Sequence, residues 1–291
     1  SRRRHTRCLS DWSSDVCSSD LLFMRVAVRE YEPTVIVFSR VFIGALILLP
    51  IAIRRNAIRP AIPYFKYIAL YAVCEMVIPW ILITNAEKEI NSGLTGLLVA
   101  TVPIWATIMA AALSGDTTAF HRRRTFGMFI GFIGLILIVG IESFTGNANI
   151  FAVSSVVLAA ILYAYATNMI SRKAPTVDGV TINSISMLLT AIFYAPFAAL
   201  HLPKSSVSLN ATLSVLGLGI FSTAMAFYYF FMLMAEIGPA RSSLVTYLNT
   251  AIAVFLGVVL LNEKFTIGMA LGLPLVLAGS YLASRKPQPI Q

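Results

Sequence analysis

Apolar residues run in blocks of about 20 along most of this chain, separated by short polar stretches that carry most of the charge. A bilayer core of roughly 30 Å takes about 20 residues as helix, so each block predicts one crossing. The first block, "LLFMRVAV" at residues 21–28, is too short to cross and reads as the last two turns of a mostly missing helix α1. Complete spans are expected at 33–53 (α2), 64–84 (α3), 93–113 (α4), 125–142 (α5) and 150–170 (α6). Four more follow at 180–200 (α7), 209–234 (α8), 241–261 (α9) and 266–283 (α10). Residues 1–20, "SRRRHTRCLSDWSSDVCSSD", have no apolar core and so are no signal peptide. They resemble translated sequencing-adapter read-through; the alternative is a polar, disordered tail.

Composition agrees with the pattern. The chain is 58% hydrophobic and 12% charged, with a mean hydropathy of +0.81, whereas a soluble domain carries about 25% charged residues. Lys and Arg outnumber Asp and Glu by 22 to 13. In a membrane chain this excess points to basic cytoplasmic loops and not to a nucleic-acid partner. Twelve basic residues fall in one set of alternate loops, among them Arg54, Arg55, Arg59, Lys66, Arg172 and Lys173. Four fall in the other, Arg29, Lys88, Lys204 and Lys264. The richer set is expected in the cytoplasm, which puts the C-terminus inside. Cys8, Cys17 and Cys74 have no metal-ligand or disulfide spacing. No cofactor is implied.

The pattern also repeats. "FGMFIG" (126–131) returns as "IGMALG" (267–272), and "ATVPIWATIMAAALSGD" (100–116) lies without a gap over "YLNTAIAVFLGVVLLNE" (247–263). Ala86-Glu87 matches Ala235-Glu236, and "RVFIGALILLP" (40–50) matches "SMLLTAIFYAP" (186–196), proline on proline. Offsets run from 141 to 149 and change only in loops. The unit is five helices. An odd unit sends its second copy into the membrane from the opposite side, which makes an inverted repeat of the kind secondary transporters use. The expected fold is therefore all-α: a polytopic membrane protein of ten helices, five plus five, with α1 mostly missing. A first repeat at 21–142, a second at 149–285 and a cytoplasmic tail at 286–291 complete the expected organisation.

"NAEKEINSGLTGLLVATVPIWATIMAAALSGD" (85–116) resembles the helix 3–4 signature of EamA-like proteins in the drug/metabolite transporter superfamily. "VFSRVFIGALILLP" (37–50) and "LVTYLNTAIAVFLGVVLLNEKFTIGMALGLPLVLAGSYL" (244–282) are similar to its helix 2 and helices 9–10. The resemblance covers about residues 21–285. It implies a carrier in the bacterial inner membrane for a small-molecule substrate: an amino acid, metabolite, drug or nucleotide sugar. A lipid flippase of the same fold is the alternative. A membrane enzyme would need convergent chemistry, and His5, His121 and His201 lie in the tail or in loops. A channel would need rings of polar residues or a filter sequence.

An ionisable residue at membrane depth is a functional hypothesis by default. Glu75 stands about ten residues into α3, which at 1.5 Å per residue is roughly 15 Å deep. Pro79 has no N–H for the Glu75 carbonyl, so a carboxyl and a free carbonyl sit at one level, suited to a cation, an amine or a proton. The plain reading is a neutral Glu hydrogen-bonded to a neighbouring helix. Arg40, on α2, would hold a carboxylate or phosphate, or else snorkel or cap the facing half. Thr101, Pro103 and Trp105 cluster in α4, and Tyr247, Asn249 and Thr250 stand at the matching place in α9. Trp80 and Tyr228-Tyr229 match likewise in α3 and α8. Such aromatics would stack on a substrate or hold an ammonium, or serve as packing and interfacial belt. Gly127 and Gly131, with Gly268 and Gly272, make small-residue faces on which α5 and α10 are expected to pack on each other, or on a second protomer in a homodimer.

Overall fold

The computed structural model describes residues 23–90, 92–114, 122–144, 149–203, 207–237, 258–259 and 266–284. Tyr247, Asn249, Thr250, nearly all of the α9 span and the segment 1–20 lie outside the described residues. Everything regular among the described residues is helical.

The observed helices follow the apolar blocks. A short helix at 23–27 occupies α1. α2 is Pro33–Arg54, begun by a proline in its first turn, where the missing N–H costs nothing. It ends in a reversal at Asn56, whose φ of 53° is left-handed. Asn56 N–H bonds the Ile53 carbonyl at 2.9 Å and Ala57 N–H bonds the Ala52 carbonyl at 3.1 Å, so the last carbonyls of the helix are satisfied. α3 runs as one stack from Ile58 to Ala86, six residues earlier than the apolar block predicts. α4 is broken into Ser92–Val99 and Val102–Ser114. α5 is Arg122–Phe144, α6 Ile150–Lys173, α7 Gly179–Leu200 and α10 Ile267–Ser284. α8 joins Leu209–Gly217, Leu218–Met225 and Ala226–Ile237.

Side-chain caps set three of these starts. Asn149 Oδ1 accepts from Phe151 N–H at 2.9 Å, Ser208 Oγ from Ala211 N–H at 3.2 Å, and Thr266 Oγ1 from Met269 N–H at 3.2 Å. Glu30 reinforces the second, accepting from the Ser208 hydroxyl and from its N–H. Those two bonds hold the exposed Glu30 carboxyl below the usual carboxylate range.

Among the described residues, five helices are long and apolar enough to cross a membrane: α2, α3, α6, α7 and α8. Large apolar side chains face outward on several of them. Phe129, Ile133 and Ile136 form a stripe on α5 opposite Gly127, Gly131 and Gly134. In water such a surface would aggregate; in lipid it is the solvated face. The chain is an all-α, multi-pass membrane protein.

Packing mixes the two halves. One core joins α2 and α3 to α7 and α8 through Val41, Leu48, Met76, Trp80, Met187 and Tyr194. A second joins α4 and α5 to α6 and α10 through Leu97, Leu98, Leu135, Val156, Met269 and Val276. The closest pairs, α5 with α10 and α2 with α7, are corresponding members of the two repeats. A Cβ on Gly134 would lie 2.9 Å from the Val276 nitrogen, while one on Gly279 would press into the Gly131 backbone. Moving forward along α5 thus moves backward along α10, so these repeat mates run antiparallel, as inversion requires. The closest approach on α10 is made by Gly279, a glycine outside the repeated motif; Gly268 and Gly272 are buried nearer its start.

Candidate functional site

α3 loosens where Glu75 stands. Pro79 cannot donate to the Glu75 carbonyl, and its ring crowds that carbonyl, so the helix widens by one residue. Over Val73–Val77 the backbone is a π-helix, with Ile78 N–H bonded to the Val73 carbonyl five residues back. Tyr194 of α7 enters here and donates to the Val77 carbonyl at 2.7 Å. The Glu75 residue is half-buried, but its Oε2 is fully enclosed and accepts no hydrogen bond. One turn earlier, the buried Tyr71 hydroxyl donates to Asn183 Oδ1 of α7 at 3.4 Å.

α8 loosens at the corresponding place. Its π-helical stretch is Leu218–Met225, flanked and entered by Gly217 and Gly219, which lie against Phe23 and Ile43. The offset that places Ala86 on Ala235 places Cys74 on Thr223. Each half therefore carries a widened turn at the same point of the same helix.

Arg40 reaches across the halves. It is 4% exposed, its guanidinium carbon lies 4.0 Å from the Trp80 ring centroid, and its Nε donates to Thr223 Oγ1 at 3.3 Å. Close passage of α2 over α8 permits this. A Cβ on Gly44 would meet Thr223 Cγ2 at 2.9 Å and Met187 Sδ at 2.8 Å. Tyr228 packs on the same cluster, stacks edge-on with Tyr229 at 5.7 Å, and lies 5.9 Å from the Arg55 guanidinium carbon. Arg40, Trp80, Thr223 and Tyr228 are thus gathered around the packed centre of α2, α3, α7 and α8, while Tyr229 is tied to it through its ring contact with Tyr228. Arg40 is committed to Trp80 and Thr223, and Glu75 pairs with no cation among the described residues.

Thr101 and Trp105 belong elsewhere. Pro103 removes the donor for the Val99 carbonyl, and α4 breaks at Ala100-Thr101. The buried Thr101 hydroxyl donates to the Leu98 carbonyl at 2.6 Å and accepts from Trp105 Nε1 at 3.1 Å. The Trp105 ring then packs edge-on against Phe132 of α5, 5.3 Å between centroids. This pair closes the α4 break from within. Asn168 also joins helices, donating from α6 to the Ala106 carbonyl of α4 at 3.1 Å.

Thr223 and Tyr194 were not distinguished by sequence. For Thr223 a signal existed: it is the repeat mate of the residue next to Glu75. Arg25 gave none, since its role of donating to the Glu87 and Ile90 carbonyls at the end of α3 depends on a contact 62 residues away.

Comparison with known proteins adds the family. Residues 17–140 and 150–285 each match the model of the EamA-like transporter family. A Bacillus subtilis (strain 168) protein named "Uncharacterized transporter YoaV" is 25% identical over 264 residues, 89% of either chain. An "Uncharacterized transporter" of Archaeoglobus fulgidus is 28% identical over 208 residues, 69% of this chain and 70% of that one. The "Uncharacterized inner membrane transporter YedA" of Escherichia coli (strain K12) is 25% identical over 282 residues, covering 94% of this chain and 90% of that one. A crystal structure covering 96% of both chains superposes with a TM-score of 0.68 at 16% identity, a likeness of fold.

Proposed function

The chain belongs to the EamA-like transporter family, and from that premise we propose a secondary active transporter that exports a small metabolite, amino acid or drug-like solute by alternating access, driven by protons. The family supports transport over catalysis; substrate class, direction and coupling are our reading. The proposed setting is the bacterial inner membrane with the C-terminus in the cytoplasm.

The observation that carries the coupling is the enclosed, unpartnered Glu75 Oε2 on a helix already opened by Pro79. An unpaired carboxylate in a closed apolar site is costly. Proton uptake and release would therefore follow the closing and wetting of the cavity as the halves rock. Trp80, Tyr228 and Tyr229 would offer aromatic faces to the solute, and Arg40 a fixed charge held by Trp80 and Thr223. Thr101 and Trp105, apart from that cluster and bound to each other in the resting packing, would meet the solute only from the α4 side as the halves move, with Tyr247, Asn249 and Thr250 as their repeat mates.

The test is transport in proteoliposomes with an imposed pH gradient, on a substrate found by an export screen. Glu75→Gln keeps the shape and removes the titrating group. It is expected to abolish uphill accumulation while leaving part of the substrate exchange; Glu75→Asp should retain coupling with a displaced pH optimum. Uphill transport by Glu75→Gln with an unchanged pH profile would make Glu75 a packing residue.

A further inference from the structure

At the end of α6 three cations gather with no acidic partner among the described residues. Lys66, near the start of α3, places its Nζ 4.9 Å from the Tyr67 ring centroid, and Lys173 of α6 places its own 5.8 Å from the same centroid. Two ammonium groups thus share one ring, and each raises the cost of the other. Arg172 stands beside them. Among the described residues none of the three meets a carboxylate. The arrangement has charge to spare for an anion.

A cleft opens at this point. It has a volume of about 230 Å³ and is lined by Tyr165, Met169, Arg172 and Lys173. These residues are spaced four, three and one apart on α6, so they form one stripe. Its cationic end is the last turn of the helix. Its other end, at Tyr165, lies eight residues back, about 12 Å deeper along the axis. A polar mouth and an apolar throat running inward match a phospholipid, with its phosphate at the membrane edge and its glycerol and first methylenes below. A free phosphate has no use for the throat. The adjoining turn of α3 exposes Ile62 and Phe65, side chains suited to acyl-chain contact. Basic pockets beside membrane helices hold anionic headgroups by this combination of charge and position.

We propose that the cleft lined by Tyr165, Met169, Arg172 and Lys173, with Lys66 and Tyr67 beside it, is a binding site for an anionic phospholipid of the adjacent leaflet. Its phosphate lies between the Lys66 and Lys173 ammonium groups and the Arg172 guanidinium, relieving their repulsion and tying the start of α3 to the end of α6. The site is distinct from the Arg40–Trp80 cluster, because it draws on the ends of these helices and not on their centres.

Thermal unfolding of the full chain in a neutral detergent would test it, with dioleoylphosphatidylglycerol, dioleoylphosphatidylcholine or inorganic phosphate added. Phosphatidylglycerol is expected to raise Tm by several degrees, and the other two to leave it within a degree. The shift should vanish in Lys66→Gln/Arg172→Gln/Lys173→Gln and survive in the charge-keeping Arg172→Lys/Lys173→Arg. An undiminished shift in the triple variant would overturn the proposal. So would an equal response to phosphatidylcholine, or to phosphate, which would mark a soluble-anion site. Should the triple variant not fold, photo-crosslinking of wild type with a photoactivatable phosphatidylglycerol decides. Adducts within residues 62–67 or 165–173 support the site, and adducts only elsewhere refute it.

Discussion

Arg40 shows how one buried side chain is held in an apolar bundle. Its planar guanidinium lies on the Trp80 face at 4.0 Å and its Nε reaches Thr223 at 3.3 Å. Lysine keeps the charge but has no planar group to lie flat on Trp80 and no donor at the Nε position. Arg40→Lys is expected to destabilise the protein by about 1–2 kcal/mol, from the lost stacking and hydrogen bond. Chemical unfolding in micelles measures this. Unchanged stability with lost substrate binding would instead give Arg40 to the substrate. Glu75 differs in kind: its enclosed Oε2 is held by no hydrogen bond, so its chemistry is open to a proton or solute.

The paired helices carry the geometry at the next scale. α5 and α10 meet backbone to backbone, which is how helices gain van der Waals contact in lipid, where apolar burial gives no advantage. A methyl group at Gly279 would strike the Gly131 backbone and the Gly127 carbonyl, neither of which can turn aside. At Gly131 it would strike mainly the Ile104 Cδ1, the free end of a flexible chain. Gly279→Ala is therefore expected to cost about 1–3 kcal/mol, and Gly131→Ala distinctly less. The Tm of each variant in detergent checks the order; equal losses would contradict the asymmetry. The two π-helical turns also belong to this scale. Pro79 accounts for the one in α3; α8 has no proline there, and its turn coincides with the close passage of Gly219 on Ile43.

Across the whole molecule, the two main cores are each built from both repeats, so any motion of one half against the other must slide α2 on α8 and α7 on α3. The repeat mates α5 and α10 touch along antiparallel glycine faces. The inversion fixes a topology that labelling can read. Residues 54–63, 115–124 and 171–179 are expected in the cytoplasm, and 85–92 and 142–149 outside, from the basic asymmetry. In a cysteine-free background, Asn147→Cys should react with an impermeant thiol reagent added to intact cells and Ala57→Cys should not. The reverse result would turn the molecule over.

The sequence by itself determined the class, the duplication and, among the described residues, the places of α2 to α8 and α10. An apolar block of membrane length is a local property, and so are the starts of α2, α6, α8 and α10, written in Pro33, Asn149, Ser208 and Thr266. The loosening of α3 was legible too, because Pro79 acts on the carbonyl four residues back in its own helix. Only the tertiary structure decided which helices touch. It sent Arg40 to Trp80 and Thr223 and, among the described residues, left Glu75 Oε2 without a hydrogen bond, kept Thr101 and Trp105 with Phe132 and away from that cluster, and chose Gly279 as the contact of Gly131. The reason is physical. One apolar helix face is much like another to lipid, so partner and register follow from the fit of small residues against large ones on segments far apart in the chain. Gly44 beneath Met187 and Thr223 is such a fit, visible only once α2, α7 and α8 are brought together.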